Sequence, residues 1–456
     1  MKFDETAYSA LLERIFSITP SVQTAGFNAD SYKPGLDGMR AFDERLGHPW
    51  KQYRCIHVAG TNGKGSVASM IASALACSGS SGRQDIMREA DLRGNAPCRV
   101  GLYTSPHLVD FRERMKVVTD SGWIMPSKEE VWEFFQEYLT GPDGQLDTGG
   151  LSFFEMTTGL AFWWFARKGV DWAVVEAGLG GRLDSTNIIT SELAVITSIG
   201  LDHCALLGST RAAIAGEKAG IFKPGVPPLV ASEDDETAPV FEAAAAAGGS
   251  PLYFGTDLYS SSDEQELLPR LDLQGPCQRQ NLHTALLALQ ILGADSSASA
   301  EAITRTAART GLRGRWERVS AQPEVVCDIA HNPPALKINF ARLRDIHAGG
   351  SDGQGRPLTI VYGIMADKDL AGIAPLMPED ARYILAAPAI PRALPAAELQ
   401  ARLAGLRPDL HTQNAPSVAA AVESALALAS PKEFIYIGGS TFVVTEAIEF
   451  FNSRQK

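Results

Sequence analysis

Cysteine is sparse in this chain. Six thiols (Cys55, Cys77, Cys98, Cys204, Cys277 and Cys327) are scattered through 456 residues, and no two form a CxxC pair. That spacing excludes a disulfide framework and a cysteine zinc site, and it suits the reduced thiols of a cytoplasmic protein. Long apolar runs are missing as well, so no segment reads as a membrane-spanning helix. The N-terminal stretch, MKFDETAYSALLERI, is acidic and amphipathic, unlike a secretory leader. Positive charge is in deficit: 41 Lys and Arg against 53 Asp and Glu leave a net charge of −12. General nucleic-acid binding needs a basic face and is excluded on that ground, whereas a nucleotide held by one local loop is not.

What is present suits a globular protein of two or three domains, with 45% apolar residues over 456 positions. The organising stretch is Cys55–Ser66, CIHVAGTNGKGS. An apolar, β-branched run leads into a glycine turn, and Val67-Ala68-Ser69-Met70-Ile71-Ala72 then begins a helical pattern. A strand, a tight turn and a helix N-terminus make an anion site, because free N–H groups converge there and the helix dipole favours negative charge. Lys64 adds a charge for outer phosphates, and Ser66 a hydroxyl able to ligate Mg²⁺. The spacing departs from the common phosphate loop, since Gly65 separates Lys64 from Ser66 and Gly60 lies close to Lys64.

Residues 1–50 read as an amphipathic helix, a polar loop and a short helix over 35–45. Ser78–Pro97 is polar and glycine-rich and reads as a surface insertion. A strand at 99–103 ends in Thr104-Ser105-Pro106-His107, polar groups at the strand end where open α/β sheets bind ligands. Ser105 and His107 are site residues or turn and cap residues on this pattern alone. Glu155, within LSFFEMTT, is an acid among aromatics: it is paired or binds a metal, or it is an exposed helix N-terminal acid favoured by the dipole. Trp172–Glu176 reads as a central strand feeding AGLGGRLD, where the glycines allow close backbone approach to a ligand or merely shape a turn. A further strand, 193–197, runs into SIGLDH with His203, and Lys218 follows in a helical stretch. The segment 294–300 (ADSSASA) lacks large apolar residues and reads as a boundary. Beyond it a second α/β unit has strands at 324–327, 358–362, 382–386 and 433–437, again with polar ends.

Ten short motifs then carry a resemblance: HVAGTNGKGS (57–66), YTSPHL with Phe111-Arg112-Glu113-Arg114, LSFFEMTT (151–158), EAGLGGRLDSTN (176–187), SIGLDH (198–203), EKAGI (217–221), GRWE (314–317), DIAHNP (328–333), ADKD (366–369) and GGSTF (438–442). Together the chain resembles the folylpolyglutamate synthase/dihydrofolate synthase group of the Mur ligase superfamily. TNGKGS with GLGGRLD is particular to the folate branch, which accounts for the unusual loop spacing.

The resemblance implies an α/β architecture. Residues 1–296 would form a P-loop-type ATP-binding domain with a mainly parallel sheet. Residues 297–456 would form a smaller Rossmann-like glutamate-ligase domain, with the active site in the cleft between them. It implies ATP-dependent amide formation: a carboxylate attacks the γ-phosphate, giving an acyl phosphate, and glutamate's amine displaces phosphate. On this basis Thr61, Asn62, Gly63, Lys64, Gly65 and Ser66 hold the phosphates, and Ser66 with Glu155 ligates one Mg²⁺. Ser105 and His203 help hold a second. Asn281, Arg315, Asp328 and His331 match nucleotide- and glutamate-side positions, Arg114 borders the pterin site, and Lys218 matches a position that is carbamylated. The implied partners are folate or dihydropteroate and L-glutamate, with no nucleic acid or membrane, acting as a cytoplasmic monomer. Two alternatives stay open: another Mur-type ligase, which would need a further UDP-binding domain, and a non-ligase P-loop ATPase or nucleotide-binding module.

Overall fold

The computed structural model describes residues 3–19, 35–77, 98–256, 261–294, 296–350 and 354–454. The insertion read at Ser78–Pro97 lies outside the described residues. The chain divides into two compact units: Met1–Asp272 with Gln278–Leu312, and Leu273–Cys277 with Arg313–Lys456.

In the first unit the described residues form an eight-stranded sheet of β1 (Arg54–Ala59), β2 (Val100–Tyr103), β3 (Met115–Thr119), β4 (Gly122–Ile124), β5 (Trp172–Glu176), β6 (Leu193–Ile196), β7 (Pro228–Val230) and β8 (Tyr253–Phe254). Their order is β4-β3-β2-β5-β1-β6-β7-β8. Six strands run parallel, and only the β2–β3–β4 meander at one edge is antiparallel. Residues Ile56, Val58, Val174, Val175 and Val195 are fully buried, which is why these strands read as continuous apolar runs. The β3–β4 hairpin and the short strands β7 and β8 escaped the sequence pattern.

Helix α1 (Glu5–Ile18) begins on the Asp4 cap, and α2 (Asp37–Arg45) is the short helix expected at 35–45. Helix α3 (Lys64–Leu75) follows the glycine turn and is buried along most of its length, which explains its small residues. Helix α4 (Phe153–Lys168) opens on a capping box and closes on Gly169 in the left-handed region. Helix α5 (Arg211–Ala219) carries Lys218, and α6 (Gln278–Leu292) carries Asn281.

The boundary expected at 296/297 lies instead at 312/313. Helices α7 (Ser297–Thr304) and α8 (Thr306–Thr310) pack on α3, so they belong to the first unit. Ser73 Oγ donates to Ala302 O at 2.8 Å, and Arg309 Nε donates to Ser73 Oγ at 3.1 Å. The small residues near 294–300 cap and dock a helix (Ser296 Oγ accepts from Ser299 N) rather than form a linker.

The second unit holds a six-stranded sheet, among described residues, of β9 (Glu317–Ala321), β10 (Glu324–Asp328), β11 (Leu358–Tyr362), β12 (Arg382–Leu385), β13 (His411–Asn414) and β14 (Phe434–Gly438). The order is β13-β12-β11-β14-β10-β9, and only β9 is antiparallel. Helix α9 (Pro333–Ala348) follows β10, with Asn332 as its cap. Both units are therefore open α/β sheets whose ligand-binding edge is the carboxyl end of the parallel strands.

Candidate active site

The glycine turn after β1 is held to its shape from several sides. Gly60 has φ +154°, and a Cβ there would fall 2.0 Å from Thr197 Oγ1; Gly63 has φ +86°, and a Cβ there would fall 2.3 Å from Asn281 Oδ1. Thr61 N donates to Ser198 O at 2.8 Å, Asn62 N to Ser198 Oγ at 2.9 Å, and Thr197 Oγ1 to Asn62 O at 2.6 Å. Thr61 Oγ1 also bonds Gly200 O at 3.1 Å. The segment after β6 thus braces the turn, a role of Thr197 and Ser198 that sequence reasoning missed. Gly63, at the N-cap of α3, brings no side-chain cap, so the first N–H groups of this long helix face outward as an anion site.

Two lysines meet at this turn. Lys64 Nζ donates to Gly60 O at 3.0 Å and Thr61 O at 3.3 Å, and Lys218 Nζ donates to the same Gly60 O at 2.9 Å. Lys218 is buried. Burial above all, and then the charge of Lys64, bring its pKa down to about 7, while Asp202 and Asp184 pull the other way. The sequence pattern alone gave no sign that these two amines share one carbonyl. His203 sits close by in the chain with φ +52°, its Nε2 3.8 Å from Asp202 Oδ1.

Ser66 Oγ is buried and has no hydrogen-bond partner. An orphan hydroxyl of this kind costs about 1–3 kcal/mol. Its place in the first turn of α3 suits a divalent cation, for which a hydroxyl and carboxylates are fitting oxygen donors.

Glu155 is not the carboxylate that the fold aligns with this turn. Its Oε2 accepts from Ser152 N at 2.8 Å and Ser152 Oγ at 2.7 Å, the reciprocal half of the capping box on α4. Glu155 caps the helix N-terminus, but as a buried acid rather than the exposed one expected, because the dipole and the orphan N–H claim the carboxylate locally. The acid at the strand end is Glu176. It is buried, it pairs in register with Val58 on β1, and its Oε2 accepts from Ser105 N at 3.0 Å. Its signal was visible in the sequence as a charged residue closing an apolar strand just before GLGG.

Ser105 is thus joined to Glu176. On the same loop Arg114, buried, donates from Nε to His107 Nδ1 at 2.9 Å and lies over the Phe153 ring at 5.2 Å. Burial, with Arg114 adding to it, holds the His107 pKa well below its ordinary value, so the imidazole is neutral and accepts. Behind GLGGRLD, Asp184 accepts from Leu179 N at 2.8 Å and Thr186 Oγ1 at 2.5 Å, and Thr186 Oγ1 meets His57 Nε2 at 2.8 Å. Burial drives the pKa of His57 down to about 3, so this chain fixes the turn's shape without an ionised histidine.

In the second unit Asp328 closes β10 and is buried. Its Oδ2 accepts from Trp316 N at 2.8 Å, and its Oδ1 accepts from Ala330 N at 2.9 Å and Asn339 Nδ2 at 2.7 Å. All these donors come from adjoining loops and α9, so the carboxylate ties the GRWE segment to the DIAHNP turn. Burial raises its pKa, and the hydrogen bonds and Arg315 oppose the rise. His331 Nδ1 meets Ile329 O at 3.0 Å on that turn. The structure therefore groups Thr61 to Ser66 with Asn281 and Lys218, pairs Ser105 with Glu176, and groups Arg315, Asp328 and His331 within the second unit.

Residues 314–441 match the family model of the Mur ligase glutamate ligase domain. The chain is similar to the dihydrofolate synthase/folylpolyglutamate synthase of Escherichia coli (strain K12), 32% identical over 431 residues and 92% of each chain. It is also similar to a solved E. coli FolC in complex with DHPP and ADP, with TM-score 0.77, 28% identity and 98% of both chains covered. A third likeness is a bifunctional folylpolyglutamate synthase/dihydrofolate synthase with Mn, AMPPNP and L-glutamate bound, at TM-score 0.73 and 26% identity over 98% of both chains.

Proposed function

The chain belongs to the folylpolyglutamate synthase/dihydrofolate synthase family and is an ATP-dependent ligase that adds glutamate to a folate, and on that premise we propose how its own residues carry the reaction. The substrates are dihydropteroate, folates or both, each joined through its carboxylate to the amine of L-glutamate by way of an acyl phosphate. The E. coli and Mn-bound relatives, named for both activities, support this range. A cytoplasmic monomer is the state we propose; among the described residues no helix is long and apolar enough to cross a membrane.

The observation that carries the reading is the convergence of Lys64 and Lys218 on Gly60 O beside the orphan hydroxyl of Ser66. Lys64 and the N–H groups of α3 neutralise and orient the β- and γ-phosphates, so the carboxylate nucleophile meets the phosphorus in line. Asn281, packed against Gly63, fixes the loop on the nucleotide side. A bound Mg²⁺ supplies charge neutralisation at the phosphate oxygens, and Ser66, Glu176, Ser105 and His203 are the residues that would hold such ions. Glu176 replaces Glu155 in that set because Glu155 is committed to its helix cap. Arg315 and His331 serve the nucleotide and glutamate sides, and Asp328 positions them through its bonds to Trp316 and Ala330.

Lys218 is carbamylated in the working enzyme. Its pKa of about 7 leaves a large neutral fraction at neutral pH, and the neutral amine is the form that attacks CO₂. The nitrogen–carbon bond forms, one N–H proton leaves to solvent, and a cation is exchanged for an anion with two oxygens. Lys218→Ala should lose most activity and recover part of it with short-chain carboxylates.

The overall test is ADP release with dihydropteroate, tetrahydrofolate or a UDP-muramoyl peptide, each with and without glutamate. Glutamate-dependent turnover with a pteroate or folate, abolished by Lys64→Ala in a folded protein, is the expected result. Turnover without acid or amino acid, or near-normal kcat in Lys64→Ala, would sink the assignment.

A further inference from the structure

Glu176 opens the motif EAGLGGRLDSTN and takes part in the site, whereas Asn187 closes it and bonds to none of the residues named for the reaction. Asn187 is nevertheless buried, and its amide is fully committed. Its Nδ2 donates to Arg182 O and to Gly220 O, each at 2.9 Å, and its Oδ1 accepts from Lys223 Nζ at 2.9 Å. Donors and an acceptor on the tip of one short side chain are what an amide offers and a carboxylate does not. Arg182 belongs to the glycine loop, and Gly220 is the C-cap of α5 just past Lys218, so the amide pins the loop to the end of that helix.

The backbone repeats the attachment. Arg182 N donates to Glu217 O at 2.9 Å, and Arg182 Nη2 donates to Gly216 O at 3.0 Å. Glycines make the approach possible: a Cβ on Gly181 would fall 2.8 Å from both Glu217 O and Lys218 O, and one on Gly220 would fall 2.4 Å from Arg182 Cα. The loop is held in turn by β1, because Asn187 N donates to Asp184 O at 2.8 Å and the Asp184 carboxylate is linked through Thr186 to His57. Lys218 thus has its backbone gripped by a loop anchored on the strand that leads to its own acceptor, Gly60 O.

We propose that Asn187 is a positioning residue for Lys218, fixing the helix end so that the amine of a long, flexible side chain stays on Gly60 O at the glycine turn. The placement of the amine rests on this geometry alone, and its consequence for turnover rests on the ligase reading.

The test is a ¹³C NMR titration of the nucleotide-free full chain, labelled at lysine Cε and kept free of CO₂, with the Lys218 signal identified by its absence from Lys218→Met. In the wild type that signal should titrate near the value of about 7 that burial gives it. In Asn187→Ala the midpoint should rise by at least about one pH unit, because the loosened helix end lets the amine reach water. Its kcat for glutamate-dependent ADP release should fall by at least about tenfold, with the KM for ATP unchanged. Asn187→Asp keeps the volume and the bond to Lys223 but turns an oxygen towards two carbonyl oxygens, so it should match Asn187→Ala. Gly181→Ala, which presses on Lys218 O from the loop side, should raise the same midpoint, and it carries the test if Asn187→Ala does not fold. A merely structural asparagine would lower the urea midpoint and leave the Lys218 titration where it was. That result, wild-type kcat in a folded Asn187→Ala, or an Asn187→Asp protein that behaves as the wild type does would each overturn the proposal. A raised midpoint in Asn187→Ala, with a wild type that shows no glutamate-dependent turnover, would support the placement and sink the ligase reading alone.

Discussion

Replacing Lys218 by Met should make the apoprotein more stable while destroying its activity, and the gain should depend on pH in a defined direction. The folded protein holds the Lys218 pKa at about 7 against an ordinary 10.5. At about 1.4 kcal/mol per pH unit that difference is worth roughly 5 kcal/mol. The sign follows from proton binding: between 7 and 10.5 the unfolded chain keeps a proton that the folded chain has lost, so wild-type stability rises with pH across that window. The penalty is complete below pH 7 and gone above 10.5. Met fills a similar volume, carries no charge and also lifts the repulsion on Lys64, and Gly60 O keeps the Lys64 donor. Urea unfolding of wild type and Lys218→Met, side by side, should show the variant ahead by several kcal/mol at about pH 6, with the gap narrowing by roughly 3 kcal/mol between about pH 7 and about pH 9. A gap that does not move with pH, or a wild type more stable than the variant at the acid end, would refute the reasoning.

Glu176→Gln should lower kcat in ADP release by at least about a hundredfold, whereas Glu155→Gln, which keeps a capping partner for Ser152, should cost under about 1 kcal/mol and little activity. The opposite ranking would return the metal role to Glu155. Gly63→Ala should destabilise by about 1–3 kcal/mol and raise the KM for ATP, because the new Cβ meets Asn281 as well as an unfavourable φ. Gly47→Ala, at φ +76° in open space, should show the backbone strain alone, so equal losses in the two variants by thermal melting would argue against the Asn281 contact. Deleting Ser81–Asn95 should spare glutamate-dependent ADP release, since the segment interrupts no motif; a folded but inactive deletion would make it part of the site.

Local pattern determined much of this protein. The turn between β1 and α3 was legible because glycines, an apolar strand and a helix start must occur consecutively in the chain, and the parallel core strands were legible because strands buried on both faces are apolar throughout. The hairpin of β3 and β4 was not, since β3, though buried, carries Lys116 among its apolar residues, and β4 is only three residues long and exposed at Trp123 and Ile124. The unit boundary was misplaced for a related reason: small residues at 294–300 suit a linker and a closely docked helix alike, and only Ser73 and Arg309, distant in sequence, decide between them. Glu155 and Glu176 show the same division. Sequence identifies two acids at the edges of apolar segments, but which one is consumed by a helix cap and which lines up beside β1 depends on strand order. The lowered pKa of Lys218 is wholly a tertiary property, because it arises from burial and from an amine more than a hundred residues away brought to the same carbonyl oxygen.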